Sequence, residues 1–171
     1  MSIAKRFFFL SLVCLANAIG CGTNKFEAEV ATEEAAVKLA NETLKGGYQL
    51  VSTKELKKMM DSEEDFLLID AMPAEDSFAK GHIRHAVNFA FPKEVMDEWS
   101  DEVMDGREKE DFRQLLGEEL DRKIVVYCGF VKCARSHNAA ICARELGFTN
   151  VYRYPGGIHA WRGSGYALTT D

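Results

Sequence analysis

Two thiols, Cys128 and Cys133, stand in the stretch Tyr127-Cys128-Gly129-Phe130-Val131-Lys132-Cys133-Ala134-Arg135-Ser136. A cysteine is nucleophilic only as its thiolate, and the thiolate is favoured beside cations, backbone N–H groups or a helix N-terminus. Lys132 and Arg135 supply the cations here. Upstream, Ile124-Val125-Val126-Tyr127 has no polar alternation, the pattern of a strand buried on both faces. Downstream, Arg135 to Leu146 reads as a helix, closed by Gly147 where a left-handed residue is wanted. Cys128 therefore sits at the carboxyl end of a buried strand, in a loop feeding a helix N-terminus. Loop N–H groups and the helix dipole can converge there on sulfur. A single free cysteine is often just a buried apolar residue; the loop context argues for the reactive reading. Cys142 lies at Ala-like spacing on the helix and reads as core.

The elements that must hold this loop follow from the chain on either side. Tyr48-Gln49-Leu50-Val51 reads as a strand, and Ser52-Thr53-Lys54-Glu55 as a capping box opening a helix to Met60. Phe66-Leu67-Leu68-Ile69 is a second buried strand ending at Asp70, and Ala86-Val87-Asn88-Phe89 a third. Helices are expected over Lys93–Met104 and Glu108–Leu116, the latter stopped by Gly117. Ile124–Tyr127 is the fourth strand and Val151–Tyr154 the fifth; Pro155-Gly156-Gly157 then precedes a helical turn around His159-Ala160-Trp161. Strands alternating with helices define an α/β fold, a parallel sheet with helices on both faces, whose ligands bind beyond the carboxyl ends of the strands.

With 47% apolar residues, the 171-residue chain can bury the core of one domain. A net charge of −6 and the lack of a basic stripe argue against a nucleic-acid partner. The acidic clusters at Asp61–Asp65 and Asp97–Asp111 read as solvated faces. Residues 1–20 have the form of a signal peptide, with Lys5-Arg6 ahead of an apolar run from Phe7 to Ile19. Two processing sites compete: Ala16-Asn17-Ala18, releasing a soluble protein, and Ala18-Ile19-Gly20-Cys21, a lipobox-like sequence that would acylate Cys21. Both imply export to a bacterial cell envelope, with a lipid anchor as the one membrane contact in the second case. Residues 21–47 are expected to form a partly helical tether, from Glu27 to Leu44 and ending at Gly46-Gly47, that supplies nothing to the site.

Five separated segments carry a family resemblance. Leu67-Leu68-Ile69-Asp70, Gly81-His82-Ile83 with Ala86-Val87-Asn88, Val125-Val126-Tyr127-Cys128 with Arg135-Ser136, Gly156-Gly157 with Trp161, and Gly165-Tyr166 together resemble a rhodanese (sulfurtransferase) domain spanning residues 48–171. The resemblance implies a three-layer fold with a central five-stranded parallel sheet. It also implies a cysteine that takes a sulfane sulfur from a donor such as thiosulfate, becomes a persulfide and passes the sulfur to a thiophilic acceptor. The partners would be a small-molecule or protein donor and a thiol acceptor, with neither a metal nor an organic cofactor. Gly129, Phe130, Val131, Lys132, Cys133, Ala134, Arg135 and Ser136 would bind the donor; Asp70 and His82 would be structural supports.

Two features depart from the family pattern. Cys128 and Arg135 are separated by an unusually long loop that contains Cys133, and Met72 stands where many relatives carry arginine. Cys128 is the expected nucleophile because it directly follows the strand; Cys133 is the alternative, or a resolving thiol, or a loop residue. Two further functions remain open: a phosphatase or arsenate reductase-like enzyme using the same loop, and a non-catalytic or redox rhodanese-like module. A Cys128–Cys133 disulfide would switch sulfur transfer off.

Overall fold

The computed structural model describes residues 24–170. The signal peptide, both processing sites and Cys21 lie outside the described residues. Among those described, no helix is long and apolar enough to cross a membrane.

Five strands form one parallel sheet: β1 (Gln49–Leu50), β2 (Leu67–Asp70), β3 (Val87–Asn88), β4 (Ile124–Tyr127) and β5 (Val151–Tyr154), in the order β1-β5-β4-β2-β3. The central strand β4 pairs with β2, Leu67 opposite Ile124, and with β5, Ile124 opposite Val151. All four β4 residues are fully buried, as their unbroken apolar run requires, and each such aliphatic side chain contributes about 1.5–3 kcal/mol on burial. Helices α1 (Lys25–Gly46), α3 (Lys109–Leu116) and α4 (Arg135–Glu145) border a core holding Phe91, Phe112, Ile124, Val126, Ala139 and Phe148. Helices α2 (Thr53–Asp61) and α5 (Gly157–Gly163) border the opposite core, with Leu56, Val125, Tyr127, Tyr154 and Trp161. The expected three-layer α/β fold is thus present. The Ser52 capping box forms as read: Glu55 Oε2 accepts the Ser52 N–H at 2.8 Å, and Ser52 Oγ accepts the Glu55 N–H at 3.4 Å.

Two expectations need correction. Lys93–Met104 forms turns rather than a helix. Met96, Trp99 and Met104 do reach the core while Val95 and Val103 stay exposed, and polar groups there find partners outside a helix: Met96 N–H donates to Asn138 Oδ1, and Trp99 Nε1 to the Arg107 carbonyl. The segment before Gly47 is not a passive tether either. Helix α1 lies against α4, and Gly46 is needed for that approach, since a Cβ there would sit 2.3 Å from the Tyr48 ring and 3.0 Å from Ile141.

Candidate active site

The loop from Cys128 to Ala134 joins β4 to α4, as the strand and helix signals require. No side chain caps α4; its leading amides turn to sulfur instead. The backbone amides of Gly129 and Arg135 and the Cys128 thiol all act on Cys133 Sγ in favour of its thiolate. Cys128, with no exposed surface, has its Sγ 3.2 Å from Ser136 Oγ and 3.6 Å from the Cys133 carbonyl oxygen.

The two sulfurs share one proton unequally. Cys133 is half-buried, and its pKa is lowered to about 6, first by the Cys128 thiol and then by the two amides and the Arg135 charge, against the opposing effect of burial. Cys128 is pushed well above the ordinary thiol value, first by its hydrogen bond to Cys133 and then by burial; the Ser136 hydroxyl and amide only partly oppose this. Of the two sulfurs, Cys133 is therefore the one the loop favours as thiolate. Cys142 is remote from this chemistry and is raised to about 12 by burial, in line with its reading as core.

Beneath the loop lies a group the sequence reading passed over. Arg153, on β5, is fully buried and uses all five of its N–H donors. Nε donates to Ser136 Oγ at 3.0 Å. One terminal nitrogen donates to the carbonyls of Cys133 at 2.9 Å and Val131 at 3.3 Å. The other donates to Glu42 of α1 and to Tyr48 Oη, the latter at 3.3 Å. Because Arg153 fills an acceptor position on Tyr48, the Tyr48 hydroxyl is left to donate to His137 Nδ1, at 2.8 Å. His137 is kept neutral, with its pKa lowered to about 4 chiefly by burial. Lys38, also on α1, donates to the Lys132 carbonyl at 3.1 Å. Helix α1 therefore holds the loop from behind, contrary to the expectation that it supplies no residue. The missed signal was a pair of charges in apolar settings: Arg153 within Val151–Tyr154, and Glu42 on the Ala-rich helix.

A second grip comes from α5. The N–H groups of Ile158 and His159 donate to the carbonyls of Cys128 and Gly129, both at 3.0 Å. Gly157 permits this approach: its φ is +55°, and a Cβ there would lie 2.1 Å from the Cys128 carbonyl oxygen.

The remaining expected site residues separate into two groups. Phe130, Val131 and Lys132 form the exposed crest of the loop, with Phe130 stacked on His159 at 5.3 Å. Ala134 and Ser136 are buried behind it. The Arg135 amide reaches Cys133, but its guanidinium donates to the Phe91 carbonyl and borders an open cleft of about 410 Å³ with Pro92 and Arg107. Met72 packs over Gly129, its Sδ and Cε 3.8 Å from where a Cβ would be, so this wall of the site is apolar. Asp70 is a buttress: Oδ1 accepts the Met72 N–H at 2.9 Å, and burial raises its pKa to about 6. His82 stacks on Phe78 at 3.8 Å, with Nδ1 3.1 Å from the Phe78 carbonyl oxygen, a structural role away from the sulfurs.

A family model described as the rhodanese-like domain matches residues 52–164. No curated protein matches the chain. Among solved structures, the chain is similar to the polysulfide-sulfur transferase homodimer of Wolinella succinogenes, at 21% identity and a TM-score of 0.55, covering 85% of this chain and 93% of that one. A single-domain sulfurtransferase of Saccharomyces cerevisiae is similar at 18% identity and a TM-score of 0.51, over 69% of this chain and 91% of that one. A Rhodopseudomonas palustris protein described as a possible tyrosine phosphatase matches at 18% identity and a TM-score of 0.51, over 79% and 93%. At these identities the likeness concerns the fold.

Proposed function

Since the chain belongs to the rhodanese-like domain family, we propose that it is a sulfurtransferase that carries sulfane sulfur as a persulfide on the Cys128–Cys133 loop. The observation that carries this reading is the placement of two free thiols in the loop between the end of β4 and the N-terminus of α4, Cys128 buried and Cys133 half-buried, with the Gly129 and Arg135 amides lowering the Cys133 pKa. Cys128 was the expected nucleophile, yet its sulfur is fully buried and its pKa is raised, so the setting favours the alternative, Cys133, for the first attack. That thiolate attacks the outer sulfur of a donor such as thiosulfate, the donor's remainder leaves with the bonding pair, and Cys133 becomes a persulfide. The same amides then face the persulfide's negative charge. A thiol acceptor completes the transfer by attacking the outer sulfur.

The experiment is mass spectrometry of the reduced protein after thiosulfate or inorganic polysulfide. We expect one added sulfur atom on the peptide bearing Cys133 in the Cys128→Ser variant, and none in Cys133→Ser. Loading on Cys128 in Cys133→Ser, with none in Cys128→Ser, would return the nucleophile to Cys128. No sulfur incorporation in any form would refute the sulfurtransferase reading.

A further inference from the structure

In a loop with one cysteine, a persulfide must wait for an acceptor from outside. Here the loop carries a second thiol beside the first, with Cys128 Sγ only 3.6 Å from the Cys133 carbonyl oxygen. Resting on the sulfurtransferase reading above, we propose that Cys128 resolves the persulfide formed on Cys133, so that the site releases its sulfur as sulfide and closes into a Cys128–Cys133 disulfide. Cys128 Sγ attacks Cys133 Sγ, the persulfide S–S bond breaks, and its outer sulfur departs as hydrosulfide with the proton shed by Cys128. The sulfane sulfur gains two electrons, and the two cysteines lose them in forming one disulfide. An external dithiol must then restore both thiols by exchange, becoming a disulfide itself.

Three features fit Cys128 for the second step rather than the first. Its thiol is enclosed, so external donors reach Cys133 instead. It also reaches the residue it must attack, its sulfur lying 3.6 Å from the Cys133 carbonyl oxygen. Behind it, the Ser136 hydroxyl receives the Arg153 Nε–H at 3.0 Å and is left free to donate to Cys128 Sγ at 3.2 Å. That donor steadies negative charge on Cys128 as its proton leaves. Cys133 itself follows the exposed residues Phe130, Val131 and Lys132, so closing the disulfide moves a surface loop and leaves β4 and α4 in place. The site thereby takes sulfane-sulfur compounds as oxidants and a dithiol as reductant.

The test is a single turnover of the full, prereduced chain with thiosulfate and, separately, with inorganic polysulfide. After desalting, the mass of the loop peptide is measured without reductant; in the thiosulfate arm, sulfite and sulfide are also quantified. The expected wild-type result is a peptide two hydrogens lighter, with one sulfide and one sulfite released per chain from thiosulfate. Cys128→Ser should instead retain an added sulfur on Cys133 and release no sulfide, and Cys128→Ala should behave alike, the loading itself reporting an intact fold. With thiosulfate in excess, a dithiol should sustain sulfide release at least tenfold faster than a monothiol at equal thiol concentration. A wild-type peptide one sulfur heavier, with no sulfide, would overturn this inference and leave the sulfurtransferase reading standing. Sulfide release by Cys128→Ser at the wild-type rate would also overturn it. No change of mass in wild type or in either variant would remove both readings.

Discussion

The buried pair of Glu42 and Arg153 offers a sharp test of how the loop is held. Glu42→Ala removes the anion that faces Arg153 and leaves a fully buried guanidinium with one donor unpaired. Breaking a buried ion pair from one side costs about 3–5 kcal/mol, because the remaining charge is uncompensated. For a domain of this size, each kcal/mol lowers Tm by about 2–4 °C, so the expected loss is about 6–20 °C. Glu42→Gln keeps an oxygen for Arg153 and should lose less. The double variant Glu42→Leu with Arg153→Met should recover much of the stability, since an apolar pair of similar volume is often neutral or better. It should not recover the chemistry, because the Cys133 and Val131 carbonyls and Ser136 all lose the donor that positions them. Thermal unfolding by circular dichroism measures the first effect, and ultraviolet thiolate absorbance against pH the second. In Glu42→Ala the Cys133 pKa should move back toward the ordinary thiol value as the loop loosens. A Glu42→Ala protein that melts within 2 °C of wild type, roughly the shift of a surface substitution, and keeps its thiolate titration would refute the reasoning.

Five other outcomes are expected, four from the structure and the last from the sequence. Wild type should titrate one thiolate with a midpoint of about 6, and Cys133→Ser should lose that transition; an unchanged titration in Cys133→Ser would assign the thiolate elsewhere. Gly157→Ala forces a Cβ to within 2.1 Å of the Cys128 carbonyl oxygen at a positive φ, so it should cut sulfur loading at least tenfold while Gly163→Ala, with open space around it, does not. His137 has its pKa lowered from 6.5 to about 4, so its contribution to stability is full above pH 6.5 and is lost as pH falls through 4; chemical denaturation from pH 7 to 4 should show a shallower decline in His137→Asn. Asp70, raised from 3.8 to about 6, acts in the opposite sense, its contribution being full below pH 3.8 and lost as pH rises through 6, and Asp70→Asn should remove it. Finally, Cys21→Ala should abolish metabolic labelling by a fatty acid when the chain is expressed in a bacterium; a wild-type chain that is unlabelled and begins at Ile19 would instead identify the Ala16-Asn17-Ala18 site.

How far the sequence was legible depends on whether the determinant of each feature was local. The buried strands Leu67–Asp70, Ile124–Tyr127 and Val151–Tyr154 announce themselves through apolar runs that no half-exposed strand would carry. The Ser52–Glu55 capping box is likewise complete within four residues. Lys93–Met104 misled because spaced apolar residues describe which side chains are buried, whereas the backbone's partners there include Asn138, far along the chain. The same distinction governs the site. Position at a strand end located the cysteines, but which sulfur is favoured as thiolate depends on the amides of Gly129 and Arg135, which the sequence cannot aim.

Arg153 makes the point most plainly. A charge inside the otherwise apolar run Val151-Tyr152-Arg153-Tyr154 can be tolerated on a central strand only if its partners are brought to it. Those partners come from four places: Glu42 in α1, Tyr48 ahead of β1, the carbonyls of the cysteine loop, and Ser136 in α4. Their sequence separations from Arg153 range from 17 to 111 residues, so no short window of sequence contains the set. Yet the requirement itself was visible, because a buried guanidinium must satisfy five donors. That requirement demands partners without naming them, and the fold answers it by bringing α1 to the cysteine loop. A helix that reads as a spacer by composition becomes, through one buried carboxylate, part of the support on which the reactive thiols rest.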